Sequence, residues 1–399
     1  MCAGPLCEHV EAYRAQIDAL GYKPATIRWH LRLIAKFNRW LARGGYDLRD
    51  LNEALVERFV ESYRRKVPYQ LGVRAVVCRL LDQLRKIGFI PVAVESPKHL
   101  ATERMIDEYR RFLLQEQGLA CSSVDHYSRH VGRFLSERFG TGPVNLSQLC
   151  VADLSSFVRG EAQRLGHGHA KHAVVALRSY LRFARFRGYI KADLAAGVPT
   201  VARWAMDSLP KHLAAGAVQR VLDRCERITA IGRRDYAILL LLARLGLRAG
   251  EVSALRLEDI DWGNGRIAVL CKKSGGVVQL PLPVDVGEAI ALYLKDGRPR
   301  CCCRNVFVGS RAPYAPFSHA AVVSGVAKRA LRKAGVKSAR KGAHLFRHTL
   351  ATEMLRHGAS LGEIGQVLRH KDPNTTAIYA KVDVNALREL ALPWPGGAR

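Results

Sequence analysis

Residues 343–382 read AHLFRHTLATEMLRHGASLGEIGQVLRHKDPNTTAIYAKV, a stretch that places many reactive side chains on short, well-punctuated helices. Phe346, Leu350 and Met354 recur at helical spacing with Ala351 and Leu355 beside them, while His344, Arg347 and Ala351 share a different face. An imidazole and a guanidinium therefore point the same way. Gly358 closes this helix, and Ser360 with Glu363 three positions on is a capping box for a second, whose apolar face is Leu361, Ile364 and Leu368. Asp372-Pro373 must end the second helix, and Asn374 or Thr375 is expected to cap a third that carries Ile378, Tyr379 and Val382. Tyr379 thus follows His370 across one tight turn.

Each of these residues alone has a packing or surface explanation. Together, His344-Leu-Phe-Arg347-His348, Leu368-Arg-His370 and Thr375-Thr-Ala-Ile-Tyr379-Ala380 resemble the C-terminal signature of the tyrosine recombinases, the phage integrase family. The resemblance demands an arginine and a lysine upstream. Residues 235–257, DYAILLLLARLGLRAGEVSALRL, read as a buried helix, a break at Gly246 and a second helix beginning near Arg248; Gly246-Leu-Arg248-Ala-Gly-Glu251-Val is similar to the family's first arginine motif, its acidic residue included. Arg266–Leu270 and Val277–Leu280 are apolar or β-branched runs around a Lys-Ser-Gly-Gly turn and read as a hairpin, where the family carries its lysine. Counting forward from Arg248 favours Lys272, and reading Lys-Ser-Gly as the family's Lys-Thr-Gly favours Lys273. A one-residue step reverses the face of a strand, so only one of the two can aim at the site.

The chemistry follows from the residue types. A phosphodiester under attack gathers negative charge on its non-bridging oxygens, which the forked guanidiniums of Arg248 and Arg347 can clamp and neutral donors at His344 and His370 can assist. Tyr379, a phenol of pKa about 10, becomes a nucleophile if the arginine field lowers that value or a neighbouring histidine accepts its proton. A lysine on the hairpin suits protonation of the leaving 5′ oxygen. The resemblance implies a 3′-phosphotyrosyl link, a free 5′-hydroxyl and reversal on a partner strand, without ATP. No cofactor or metal is expected: two-metal nucleases need clustered carboxylates, and Glu258, Asp259 and Asp261 read as a helix end and a turn.

The 399 residues carry 63 Lys and Arg against 35 Asp and Glu, a formal charge of +28, the balance expected of a partner of double-stranded DNA. A membrane role is disfavoured, since the longest apolar run, Ala237–Ala243, is far too short to span a bilayer, and Glu8 and Glu11 interrupt any secretory signal. The ten cysteines include no CxxC pair, and Cys301-Cys302-Cys303 suits neither a bridge nor a tetrahedral site. Reduced thiols and a cytoplasmic location are the expectation.

An internal repeat occupies the first two hundred residues. Tyr13, Phe37, Leu48, Phe59-Val60 and Val76-Val77 have counterparts at Tyr109, Phe134, Leu146, Phe157-Val158 and Val174-Val175. Each copy reads as four helices with Arg, Lys and His interleaved, and two copies suggest duplicated domains rather than a solenoid. The expected fold is therefore mainly α: a helical domain over 1–95, its copy over 96–205, and a mixed α+β catalytic domain with a small antiparallel sheet over 206–399. The second copy resembles the family's core-binding domain, with Arg129, Arg133, Lys171, Arg178, Arg182 and Arg185 as candidate DNA contacts; the first is a further DNA-binding module or packs on its twin. Pro91–Pro97 and Val198–Pro210 are the candidate linkers. Lys328, Arg329, Arg332 and Lys333 are candidate phosphate contacts nearer the catalytic motif. The tail beyond Tyr379 either folds back or, as in relatives, docks on the next protomer of a ring, which implies a homotetramer on two DNA sites. The resemblance points first to a site-specific recombinase or integrase of a mobile element. Chromosome-dimer resolution, a type IB topoisomerase and a non-catalytic DNA-binding protein are the alternatives.

Overall fold

A computed structural model describes residues 4–67, 72–90, 100–140, 142–201, 211–271, 276–338 and 341–382. The chain divides into two compact units, one formed by Met1–Ile90 with Ser208–Arg399, the other by Pro91–Asp207.

In the first unit, residues up to Ile90 form α1 (Val10–Ala19), α2 (Pro24–Arg43), α3 (Glu53–Lys66) and α4 (Val73–Lys86). Pro24 at the first position of α2 gives up no needed N–H, and the Asn52 side chain accepts from the Leu55 amide at 2.9 Å to start α3. Phe37, Phe59, Val77 and Leu80 meet in a core of their own. The second unit holds α5 (Leu100–Arg111), which runs on through a π-turn at Phe112–Glu116, then α6 (Cys121–Phe139), α7 (Val151–Leu165) and α8 (His167–Phe186). Tyr13, Phe37 and Phe59 are buried in one copy as Tyr109, Phe134 and Phe157 are in the other. The repeat in the sequence is thus a repeat of packing. It breaks where Val77 is buried but Val175 is 42% exposed, and more mildly where Leu48 is half-buried but Leu146 is buried. Val198, expected in a linker, belongs instead to the second copy's core at 2% exposure, and the Arg178 guanidinium holds that strap through the Val198 carbonyl and the Thr200 hydroxyl, both at 2.8 Å. Residues 202–210 of that linker and the whole of Pro91–Pro97 lie outside the described residues.

The C-terminal part of the first unit contains α9 (Ala217–Asp223), α10 (Ala230–Arg244), α11 (Ala249–Ala254), β1 (Ile260–Asp261), β2 (Arg266–Leu270), β3 (Val277–Pro281), α12 (Val284–Asp296), α13 (Ala321–Lys333), α14 (Ala343–Arg356), α15 (Leu361–Val367) and α16 (Asn374–Ala377), the last running into a 3-10 turn at Ile378–Val382. Helix α10 is central: every residue from Ala237 to Ala243 is buried, as a helix apolar on all sides must be, and α12, α13 and α14 pack on it. No described helix is long and apolar enough to cross a membrane. The strands form one antiparallel sheet in the order β1-β2-β3, with Ile260 opposite Ile267 and Leu270 opposite Val277. Ile267 and Val269 face the core, the alternation expected of a sheet with one wet side. The mainly α chain with its small antiparallel sheet agrees with the expected fold class.

Candidate active site

Four short segments build the site. Thr229 caps α10 through the Gly232 amide at 3.1 Å, and α10 ends at a turn in which Gly246 adopts φ +55°. A β-carbon there would lie 2.9 Å from a Leu368 methyl and 3.0 Å from one of Leu350, so glycine meets both the backbone and the packing requirement. The next turn starts α11 with Arg248 at its N-cap. The Glu251 carboxylate reaches back to the Arg248 amide at 2.8 Å and to its guanidinium at 2.9 Å.

Helix α14 has two loyalties. Phe346 joins the core around α10, whereas Leu350 and Met354 pack with Ala351, Ile364, Leu368 and Tyr379 in a smaller cluster. The helix closes at Gly358, φ +87°, and α15 starts with the expected capping box, Ser360 Oγ accepting from the Glu363 amide at 3.2 Å and the Glu363 carboxylate accepting from the Ser360 amide at 2.7 Å. The third cap differs from expectation. Asp372, not Asn374 or Thr375, does the capping: its Oδ1 accepts from the Asn374 amide at 2.9 Å, because Pro373 already has helical backbone angles and moves the start of the helix forward.

Arg248, His344, Arg347, His370 and Tyr379 line one cleft of about 400 Å³, together with His348, Arg369, Lys371, Asp372, Thr375 and Ile378. Lys272 and Lys273 lie outside the described residues. Arg347 is 4% exposed; it donates to the Gly246 carbonyl at 2.5 Å and to that of Leu368. Burial, then the charges of Arg248 and Arg369, lowers its pKa to about 10, so it remains a cation near neutrality. His370 is pushed down to about 4 by burial and then by Arg347, Arg248 and Arg369, which makes it a neutral imidazole; its Nδ1 lies 2.7 Å from the Thr376 hydroxyl. Tyr379 is 1% exposed. Burial raises its phenol to about 12, with the Arg347 charge opposing. Its hydroxyl lies 2.8 Å from Nδ1 of His348.

Sequence reasoning passed over His348 and Arg369, and gave Glu251 no role beyond a motif match. His348 sits one helical turn after His344, and that i, i+4 relation was the available signal. Arg369 carried no such signal. Its backbone takes the left-handed conformation, φ 55°, unusual for a residue other than glycine, and its buried guanidinium bonds Glu251 at 3.0 Å and the Val367 carbonyl at 3.0 Å. Burial would raise the Glu251 carboxyl, but the Arg248 amide, the Arg369 charge and the Arg248 guanidinium together hold it below its ordinary range. Two guanidiniums, those of Arg248 and Arg369, therefore pair with one carboxylate, and Arg347 adds a third positive charge to the same cleft. The excess positive charge of this cleft suits an anionic group such as a phosphate.

Away from the cleft, several candidate DNA contacts are otherwise engaged. Arg133 pairs with the buried Glu161 at 2.6 Å, Arg178 holds the Val198 strap, Arg185 lies 3.1 Å from Asp193 and Arg329 lies 3.3 Å from Asp235. Arg129, Lys171 and Arg182 are exposed.

The phage integrase family profile matches residues 211–386. A Sinorhizobium fredii protein named as an integrase/recombinase is 44% identical over 397 residues, 99% of this chain and 96% of the relative. Among solved structures, the XerH site-specific recombinase bound to a palindromic difH substrate in a post-cleavage complex shares the fold at 20% identity and TM-score 0.57, over 74% of this chain and 97% of that one. A lambda integrase tetramer bound to a Holliday junction does so at 16% identity and TM-score 0.52, over 76% and 86%. The chain belongs to the phage integrase family, the tyrosine recombinases. It is accordingly a site-specific recombinase, an enzyme that cleaves and religates DNA.

Proposed function

We propose that Tyr379 is the nucleophile of this recombinase and that the enzyme moves or integrates a mobile element. The single observation that carries the reading is the convergence of Tyr379 with Arg248, His344, Arg347 and His370 on one cleft. The Tyr379 oxygen attacks the scissile phosphorus, the bond from phosphorus to the 5′ oxygen breaks, and a 3′-phosphotyrosyl link forms. His348 Nδ1 accepts the phenol proton, and the hairpin lysine, Lys272 or Lys273, supplies one to the leaving oxygen. Arg248 and Arg347 clamp the non-bridging oxygens. The Thr376 hydroxyl donates to His370 Nδ1, leaving the opposite ring nitrogen of this neutral imidazole as a donor to phosphate. Attack by a 5′-hydroxyl of the partner strand reverses every bond change, so no ATP is consumed.

The division of labour is a helical domain over 1–95, a core-binding domain over 96–205 and a catalytic domain over 206–399, acting in the cytoplasm as a homotetramer on two DNA sites. The three separate hydrophobic cores and the tetrameric lambda integrase relative support this arrangement. The test is denaturing electrophoresis of protein mixed with suicide half-sites of its own recombination site. Wild type gives a covalent protein-DNA band and Tyr379→Phe gives none. A band with the Phe variant, or none with wild type on cognate DNA, would overturn the assignment.

A further inference from the structure

The first helical copy carries a feature that its twin lacks. Helix α2, PATIRWHLRLIAKFNRWLAR, contains Arg28, Arg32, Lys36, Arg39 and Arg43 and no acidic residue. At 3.6 residues per turn the five fall within an arc of about 80°. All five are exposed, and the helix buries the opposite side through Ile27, Leu33, Ile34, Phe37 and Leu41. None of the five makes an ion pair among the described residues. From Arg28 to Arg43 the stripe is about 22 Å long, the length of roughly six base pairs of duplex.

The counterpart helix α6 distributes its charges differently. Asp125 stands where the first copy has Arg28, and it pairs with Arg110 at 2.6 Å. Arg133 stands where the first copy has Lys36, and it is neutralised by Glu137 at 2.9 Å and by the buried Glu161 at 2.6 Å. Arg138 is paired with Asp153 at 2.9 Å. The position of Glu161 is held in the first copy by Tyr63, an uncharged ring over which the Lys36 ammonium rests at 5.2 Å. Like charges one turn apart repel along a helix. A face kept only for solubility gains nothing by shedding every acid, whereas a face that follows a phosphate backbone must do so.

We propose that the exposed face of α2 is a second DNA-binding surface, gripping duplex phosphates beyond those held by the core-binding and catalytic domains. This rests on the reading of the chain as a DNA recombinase. The contact is to the backbone, so it lengthens the footprint and raises affinity without reading sequence.

The test uses full-length protein and a mixed-sequence duplex of about 60 base pairs, with affinity measured by fluorescence anisotropy across a salt series. Each phosphate contact removed lowers the slope of log affinity against log salt by about 0.9. Arg28→Gln/Arg32→Gln/Arg39→Gln/Arg43→Gln is expected to lose about three to four from that slope and to bind at least about tenfold more weakly at physiological salt. The corresponding fourfold Arg→Lys variant keeps the wild-type slope, which separates loss of charge from loss of fold, as does an unchanged thermal unfolding curve for the Gln variant. Arg74→Gln, which removes an arginine already paired with Glu57 on the same domain, also leaves the slope unchanged. A wild-type slope in the fourfold Gln variant overturns the proposal. So does a variant that keeps its DNA slope but loses binding to phosphatidylserine vesicles, which assigns the face to a membrane surface. A wild-type protein with no salt-dependent affinity for duplex and no Tyr379 adduct sinks the recombinase reading itself; an intact adduct with an unaltered slope sinks only the α2 proposal.

Discussion

Replacing His348 by Gln keeps a side chain able to hydrogen-bond Tyr379 but removes the acceptor of its proton. The buried phenol has a pKa of about 12, so its ionisation at about pH 7.5 costs on the order of 6 kcal/mol unless a base takes the proton as the bond to phosphorus forms. General-base assistance of this kind contributes 10²- to 10⁴-fold, so His348→Gln should slow formation of the covalent adduct by about that factor at pH 7.5. The distinguishing feature is the pH profile. Without a base the rate should climb about tenfold per pH unit between about pH 7.5 and 9.5 as phenolate accumulates, while wild type, which has an acceptor for the proton, should climb far less. Single-turnover cleavage of a suicide substrate, sampled across pH and resolved on denaturing gels, measures both. A variant with the wild-type rate, or a slow variant with the wild-type pH profile, would show that His348 only supports the fold around Tyr379.

Three other outcomes follow from the geometry. Arg248→Ala should slow cleavage by about 10²- to 10³-fold, the usual consequence of losing one preorganised donor, while site binding is nearly unchanged; equal losses in gel-shift affinity and cleavage would make Arg248 a binding residue. Gly246→Ala should lower stability by at least about 1–2 kcal/mol, because alanine resists the left-handed backbone and its methyl meets Leu350 and Leu368, and thermal unfolding with a wild-type midpoint would contradict this. His30 is buried against Tyr13, Tyr22 and Trp29, and burial, then the Arg79 charge, pushes its pKa down to about 4. A histidine depressed by folding gives stability that is present above its unfolded value of about 6.5 and lost as pH falls toward 4, about 2 kcal/mol between pH 7 and 5. Hydrogen exchange of full-length protein should show α1 and α2 losing protection over that range, and constant protection would refute it.

Much of the architecture was legible along the chain because it rests on local periodicity and capping. The Ser360–Glu363 box, the break at Gly246, the hairpin at Arg266–Leu270 and Val277–Pro281, and the repeat of buried aromatics all depend on residues a few positions apart or on a pattern copied intact. The misjudged details lie where a neighbour outside the window intervenes. Val198 looked like linker because it precedes a proline, yet its carbonyl is held by Arg178, twenty residues earlier. The pairing of Arg133 with Glu161 across a helix pair was likewise invisible from sequence, because the two are 28 residues apart. Asp372 took over the cap because Pro373 was already helical, a point of backbone angle that residue identity alone does not reveal.

Residue motifs, through their resemblance to the tyrosine recombinases, supplied the expected repertoire of the site: a phenol, two guanidiniums, two imidazoles and a hairpin lysine in a strongly basic chain. Chemical identity is a property of the sequence, and so is the rhythm that makes each segment a helix or a strand. Folding alone could establish which imidazole meets the phenol, how Arg369 and Glu251 join the arginine cluster, and how burial pushes the Tyr379 proton to about 12. Those depend on distances between segments from 31 to 118 residues apart and on how much water remains between them, and neither quantity exists until the chain has packed.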